Sequence, residues 1–205
     1  MRANPDISSA DMLEQRIQQQ FFDSADLQYQ TAESLARPIA EAAQALLACI
    51  TAGGKLLVCG AGGGAALAEI FGAACVGRFE RERPGLAALA LQAQPPLAGI
   101  VGAAQVFAKQ VQALGMPGDL LLLLDPGAEA AALVAAVQAA HDKDMTVLAL
   151  TGRGGGALGD ALAETDVLIA VPHERAARVL ETQLLVLHCL CDAVDLQLMG
   201  EQDPA

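Results

Sequence analysis

The sequence is poor in aromatic residues and in positive charge. Only 3% of its 205 residues are aromatic, tryptophan is absent, and 12 Lys and Arg stand against 24 Asp and Glu, for a formal net charge of −12. Broad contact with nucleic acid needs a basic face, so this balance argues against direct nucleic-acid binding. A net negative charge is equally consistent with binding to a basic protein partner and with a role in solubility alone.

The sequence also lacks the apolar segments of membrane and secreted proteins. No stretch reaches the roughly 18 uncharged apolar residues of a membrane helix, and the opening MRANPDISSADMLEQ has no signal-peptide core. We therefore expect a cytoplasmic protein with no membrane partner. The five cysteines are spread through apolar stretches, which predicts reduced thiols and no zinc site. We expect no metal and no other cofactor.

Five short apolar runs alternate with alanine-rich segments of helical length. The runs begin at Lys55, Leu86, Asp119, Met145 and Val167. Alternating strands and helices indicate βαβ units, and strands that are apolar along their whole length are typical of a parallel sheet covered on both faces. The pattern predicts an α/β fold.

Helices are predicted before and after these runs. The spacing of apolar residues predicts one helix over about 9–34, a second that begins at Pro38 and ends before Gly53, and a last one over about 176–199 that ends at Gly200. Leu198 continues the buried stripe of the last helix in this prediction, while Met199 lies nearer its rim.

The chain divides, on this interpretation, into an N-terminal helix over 1–35 used in oligomerisation, a globular domain over 36–200 that forms one unit with that helix, and a tail over 201–205. The N-terminal helix carries more bulky apolar surface than one sheet face can receive, which predicts a homo-oligomer. These residues are Phe21, Phe22, Leu27 and Tyr29.

A glycine-rich loop, CGAGGGA, follows the first apolar run. Gly60, Gly62 and Ala65 fit the spacing of a dinucleotide-binding turn, but no acidic residue follows the second run to hold a ribose, so we do not expect NAD. Backbone N–H groups at such a helix start can bind an anion, and a purely structural turn is the alternative.

The third run, LLLLDPGAEA, ends in a turn that carries Asp125 and Glu129 and no basic or hydroxyl side chain. Histidines offer the other candidate chemistry. His141 ends a helix, where it would interact with the helix dipole, and His173 follows the fifth run, where sites of α/β proteins lie. His188 is four residues before Asp192, which fits either a structural ion pair or an acid–base residue.

Taken together, several stretches resemble the SIS (sugar isomerase) domain family over about 36–198. They are GGKLLVCGAGGG, GRFERERPGLAALAL, KQVQALGMPGDLLLLL, MTVLALTGRGGG and VPHERAARVLETQLLVLHCLCDAVD. The nearest branch holds the phosphoheptose isomerases and the initiator-associating protein DiaA, and RFERERP and CLCD point to the DiaA side. The resemblance implies a three-layer αβα sandwich with a five-stranded parallel sheet, of flavodoxin-like type, assembled as a homotetramer.

The resemblance also implies a sugar-phosphate pocket that this chain has altered. Catalytic members hold phosphate with the loop S-T-S-G-N-S, where this chain has six residues from Asp125 to Ala130 and no hydroxyl. Where isomerases carry a His and a Glu, and then a Gln, this chain has Ile70, Ala74 and Leu180. His188 alone keeps its family position. The pocket positions carried over are Gly60, Gly62, Gly63, Gly64, Asp125, Gly127 and Glu129.

These departures predict weak phosphate binding, because each carboxylate at about 5 Å repels a phosphate dianion by several kcal/mol. We therefore expect a non-catalytic, DiaA-like adaptor that binds the replication initiator DnaA through Leu198 and Met199. The alternative is a phosphoheptose isomerase-like enzyme, an aldose–ketose isomerase of sugar phosphates, or a sensor that binds a carbohydrate derivative. A neighbouring subunit could supply positive charge to the pocket.

Overall fold

Five parallel strands form a single sheet in the computed structural model, which describes residues 9–127 and 131–201. Their order across the sheet is β2-β1-β3-β4-β5, so the predicted five-stranded parallel sheet is confirmed. The strands are β1 (Leu56–Gly60), β2 (Ala88–Ala90), β3 (Leu120–Asp125), β4 (Thr146–Thr151) and β5 (Val167–Ala170).

The central strands are buried on both faces, which is why they are apolar at every position. Along β3, Leu120, Leu122 and Leu124 pack into one core, whereas Leu121 and Leu123 pack into another on the opposite face. Side chains alternate across a strand, so a continuous leucine run supplies both cores at once.

Helices cover each face and complete the three layers. One layer contains α1 (Ser9–Thr51), α2 (Gly63–Val76) and α7 (Ala176–Met199), and the other contains α3 (Pro95–Val101), α4 (Val106–Leu114), α5 (Ala131–His141) and α6 (Gly156–Asp160), with a short 3-10 turn over Ala103–Gln105. Among the helices of residues 9–127 and 131–201, none is long and apolar enough to cross a membrane.

The first helix does not break at Pro38, as the sequence predicted, but continues through it for 43 residues. A proline inside a helix removes one backbone hydrogen bond and crowds the preceding turn. Burial on both sides of the proline offsets that cost, since Leu27 lies buried before it and Leu46 after it. The same helix therefore runs through the predicted boundary between 35 and 36.

The last helix ends at Gly200, which has a φ of +80°, as predicted. The prediction that Leu198 stays in the buried stripe is wrong: Leu198 is 38% exposed and Met199 is 47% exposed. The final turn extends past the packed layer, so both side chains reach solvent. Cys189 is exposed and Cys191 is buried, in line with their different helix faces.

His141 binds a carboxylate rather than the helix end alone. Its Nε2 lies 2.6 Å from Oδ2 of Asp166, and Oδ1 of the same Asp166 accepts the backbone N–H of Val147 at 2.8 Å. The interaction joins the end of α5 to the loop before β5, so His141 has a structural role.

A buried carboxylate fixes the amino edge of the sheet. Asp119 is 4% exposed and accepts hydrogen bonds from the backbone N–H groups of Lys55 and Met116 and from the Lys55 ammonium group. Burial alone would raise the pKa of Asp119, but the hydrogen bonds from Lys55 and Met116 outweigh it and hold this pKa below its usual value.

This lowered pKa makes part of the stability pH-dependent. Because the folded pKa lies below the unfolded one, the contribution is complete above about pH 4 and is lost as pH falls through the folded pKa. Asp119→Asn is expected to lower the free energy of unfolding by about 2 kcal/mol at pH 7 and by much less near pH 2. Urea unfolding at both pH values tests this, with the exposed Asp142→Asn as control. An equal loss at both pH values would show that the charge is unimportant.

Candidate functional site

The carboxyl edge of the sheet contains a crevice between β1 and β3. The chain leaves these adjacent strands toward opposite sides of the sheet, because β1 connects outward to β2 and β3 connects to β4. Ligands of open α/β sheets bind at such a switch point. The two loops that flank it contain Gly60–Gly62 and Asp125–Gly127, both of which the sequence singled out.

The glycines of the first loop are required for close packing. A Cβ on Gly60 would lie 2.2 Å from the carbonyl oxygen of Gly64, and a Cβ on Gly64 would lie 2.3 Å from the carbonyl oxygen of Leu124. Gly62 has a φ of +53°, which side-chain-bearing residues rarely adopt. The loop thus brings the first turn of α2 directly onto the end of β3.

The loop after β3 turns its acidic side chain inward. Asp125 is 3% exposed, and its Oδ1 accepts the backbone N–H of Gly127 at 3.2 Å. The carboxyl group of Asp125 therefore lies buried in the turn where the resemblance described above implies hydroxyl groups. Glu129, the other predicted acidic position, lies outside the described residues.

Three loops meet around Gly152 on the other side of this turn. A Cβ on Gly152 would lie 3.1 Å from the carbonyl oxygen of Pro126 and 3.4 Å from that of His173. The backbone N–H of Arg153 donates to the His173 carbonyl at 3.1 Å. The structure therefore joins the ends of β3, β4 and β5, and it confirms that His173 lies at the carboxyl edge.

An apolar side chain covers the glycine loop. A Cβ on Gly63 would lie 2.9 Å from Cδ2 of Leu180 on α7, so Leu180 occupies the space above the start of α2. Ile70, on α2, is 50% exposed, and Ala74 packs against the core. None of these three side chains can take up or release a proton.

The remaining family position, His188, lies away from the loops. Its ring centroid is 5.5 Å from that of Phe79, with the rings inclined by 32°, and Phe79 follows the far end of α2. Eight helical residues separate His188 from Leu180, about 12 Å along the axis. One subunit therefore does not bring His188 and the glycine loop together. The sequence offered an ion pair between His188 and Asp192 as one alternative. Among the described interactions, His188 instead makes this ring contact with Phe79.

A metal site is not formed by the part of the chain that the structure describes. Within residues 9–127 and 131–201, no group of three or more His, Cys, Asp or Glu side chains could hold a metal ion.

The family model of the SIS domain matches residues 20–152, which is more than half of the chain. The chain belongs to the SIS domain family. It is 63% identical to the phosphoheptose isomerase of Methylibium petroleiphilum over 196 residues, covering 94% of this chain and 98% of that relative. It is 46% identical to the phosphoheptose isomerase of Azoarcus sp., covering 92% and 98% of the two chains.

Solved structures of phosphoheptose isomerases have the same fold as this SIS-family chain. Phosphoheptose isomerase GmhA from Neisseria gonorrhoeae superposes with a TM-score of 0.84 at 40% identity, covering 89% of this chain and 98% of that one. A phosphoheptose isomerase from Francisella tularensis gives a TM-score of 0.85 at 38% identity, covering 92% and 99%. The predicted αβα sandwich of the SIS fold is confirmed.

These relatives overturn the expected function. The prediction of a DiaA-like adaptor for DnaA is wrong, because proteins similar over nearly the whole chain are named phosphoheptose isomerases. The adaptor hypothesis relied on side chains missing from the pocket, and it gave too little weight to similarity spread across the rest of the sequence. The prediction that Leu198 and Met199 bind DnaA was part of that hypothesis and is not retained.

Proposed function

We propose that this SIS-family chain is an aldose–ketose isomerase of sugar phosphates, with sedoheptulose 7-phosphate as its substrate. The observation that carries the proposal is the 63% identity to a protein named phosphoheptose isomerase, over 94% of this chain. The crevice between β1 and β3 supports it, since the backbone donors at the start of α2 face the edge where an anionic substrate would bind.

The reaction needs a group that moves a proton between two neighbouring carbons of the sugar. His188 is the candidate for this role, because Ile70, Ala74 and Leu180 offer no acid or base. In one subunit His188 lies against Phe79, far from the glycine loop. We therefore propose that a second copy of the chain completes each site.

A homo-oligomer, a tetramer in our proposal, is supported by the surface of α1. Large apolar side chains on its first half are between 55% and 74% exposed in a single chain: Met12, Leu13, Ile17, Phe21, Phe22 and Tyr29. Exposed apolar surface of this extent is typical of a protein interface.

Replacing Phe21 and Phe22 with serine is expected to lower the assembly state, because it removes two adjacent aromatic side chains of this surface that are 73% and 62% exposed. Sedimentation equilibrium should give four copies of the 21.0 kDa chain for the parent and a smaller assembly for the variant. Gln18→Ser with Gln19→Ser is the control on the same helix. A parent that sediments as a monomer at micromolar concentration would contradict the proposal.

The isomerase proposal is tested by following sedoheptulose 7-phosphate by NMR in heavy water. The expected result is slow appearance of the aldose phosphate with deuterium at the carbon that gains a proton, because the exchanged proton passes through solvent. His188→Gln should abolish this signal, whereas Cys189→Ser, a change at the exposed neighbouring residue, should not. Equal turnover by the parent and His188→Gln would remove His188 from the mechanism.

Binding without turnover is the second candidate function, favoured by the inert side chains at Ile70, Ala74 and Leu180. Calorimetry on the same samples separates the two candidates. Heat of binding with no aldose formed supports a carbohydrate-derivative-binding protein, whereas neither heat nor turnover contradicts both.

A further inference from the structure

Basic side chains lie on the β4–β5 side of the carboxyl edge, next to the acidic turn of β3. Arg153 follows β4, and its guanidinium lies 2.6 Å from the carboxylate of Glu174. Both side chains are largely exposed, at 69% and 75%. An exposed ion pair contributes little to stability, so Arg153 can exchange Glu174 for another anion at small cost.

Arg175, which precedes α7, has no carboxylate among its described contacts. Its Nη2 donates to Oε1 of Gln20 at 3.2 Å, which leaves the other guanidinium donors for a ligand. Arg178 differs, because Glu181 and the carbonyl oxygen of Gln20 hold its side chain. Arg178 therefore serves the packing of α1 against α7, whereas Arg175 is the available charge.

Neutral donors lie in the same segment of the chain as Arg175. Nδ1 of His173 accepts the backbone N–H of Arg175 at 2.9 Å, so a neutral imidazole carries its proton on Nε2 and can donate from there. The backbone N–H groups of Ala176 and Ala177, in the first turn of α7, have no partner within the helix. The positive end of the helix dipole adds to their attraction for an anion.

We propose that the phosphate of the substrate is held on this side of the edge, by Arg153, Arg175 and the first turn of α7, and not by the loop of Asp125. The inference rests on the proposed function, since it assigns the phosphate end of the same site. An arginine attracts a phosphate dianion as strongly as an equally distant carboxylate repels it. Placing the phosphate beside the arginines moves it away from Asp125 and replaces the hydroxyl groups that this chain lacks.

The packing around Gly152 connects the turn after β3 with the segments that carry the arginines. It places the backbone of the loop after β4 against both Pro126 and His173, so the family's phosphate loop and the arginine-bearing segments are direct neighbours.

The test is calorimetric titration of the full-length protein with sedoheptulose 7-phosphate and, separately, with inorganic phosphate. Arg153→Gln and Arg175→Gln should each weaken sugar-phosphate binding roughly tenfold, and the double variant more, because each removes a charge-assisted contact. Arg37→Gln, an equal charge change on exposed α1, should leave affinity unchanged. Added salt should weaken binding by the parent more than binding by the double variant. Inorganic phosphate should compete in the parent and lose that ability in the double variant.

Equal affinity of the parent and both single variants would overturn this assignment while leaving the proposed function standing. No binding by the parent would overturn the proposed function and the assignment with it. If Asp125→Asn raises the affinity for sedoheptulose 7-phosphate and the arginine variants bind like the parent, the phosphate binds at the β3 loop and the assignment is wrong. Unchanged melting temperatures in the arginine variants are expected, since both side chains are exposed, and they exclude misfolding as the cause of lost binding.

Discussion

Arg83→Ala is expected to lower the free energy of unfolding by about 4 kcal/mol, because it leaves a buried carboxylate without its partner. The side chains of Arg83 and Asp195 are 1% and 3% exposed, and their charged groups lie 2.5 Å apart. Arg83 also donates to the carbonyl oxygens of Ala74 and Cys75 at 2.8 Å each, at the end of α2. One side chain thus joins α2 to α7 and satisfies helix-end acceptors that water cannot reach.

Thermal unfolding should show this loss as a fall in melting temperature of roughly 10 °C. Arg78→Ala is the matched control, since Arg78 forms an exposed i,i+4 pair with Glu82 and should change stability by less than about 1 kcal/mol. Combining Arg83→Met with Asp195→Leu should recover part of the loss of Arg83→Met alone, because the unpaired charge is removed. A small effect of Arg83→Ala would mean that water reaches Asp195.

Gly64→Ala is expected to destabilise the protein by about 3 kcal/mol through overpacking. The added methyl group would lie 2.3 Å from the carbonyl oxygen of Leu124 and 3.1 Å from its Cβ. Both atoms belong to the central strand β3 and cannot move aside without disturbing the sheet. The first turn of α2 must shift outward instead, which also displaces the glycine loop from the crevice.

Gly99→Ala provides the control for this clash. Gly99 lies inside α3, and a Cβ there would meet nothing within 4 Å, so alanine should raise stability by about 0.5–1 kcal/mol through its better helix propensity. The two variants are compared with the parent by urea unfolding, which gives their stability, and by binding of sedoheptulose 7-phosphate. If Gly64→Ala is as stable as the parent, α2 is not seated on β3 as described.

The strands and the final helix could be predicted from the sequence because local pattern determines them. The leucine run of β3 must be buried on both faces, and Gly200 stops α7 through its own backbone preference. The predicted helix boundary at Pro38 was wrong. Proline disfavours a helix interior locally, but the burial of Leu27 and Leu46 on either side of it depends on the packed layer, which the local sequence does not show.

The site could be predicted only in part, because its parts come from distant segments. The glycine loop and the turn of Asp125 were placed correctly at the carboxyl edge by their position after apolar runs. The meeting of Pro126, Gly152 and His173 depends on strand order, which no single stretch specifies. Arg83 stands in a run of charges that resembles a solvated surface, yet it is among the most deeply buried charged side chains.

The function was misjudged for a related reason. Substituted side chains at Ile70, Ala74 and Leu180 indicate how the pocket differs from the expected isomerase pattern, but not which ligand the remaining edge binds. Similarity to phosphoheptose isomerases across nearly the whole chain supports a phosphorylated sugar as the ligand. The arginines that follow β4 and β5 offer positive charge next to a β3 turn that has no hydroxyl or basic side chain.

A crystal structure with sedoheptulose 7-phosphate, grown without phosphate or sulfate, tests the central claim most directly. The account predicts one sugar phosphate for each subunit at the carboxyl edge, with its phosphate against Arg153 and Arg175 and its sugar extending over the loop of Gly62. A ligand bound elsewhere, or an empty edge at a concentration that saturates binding in solution, would contradict the account.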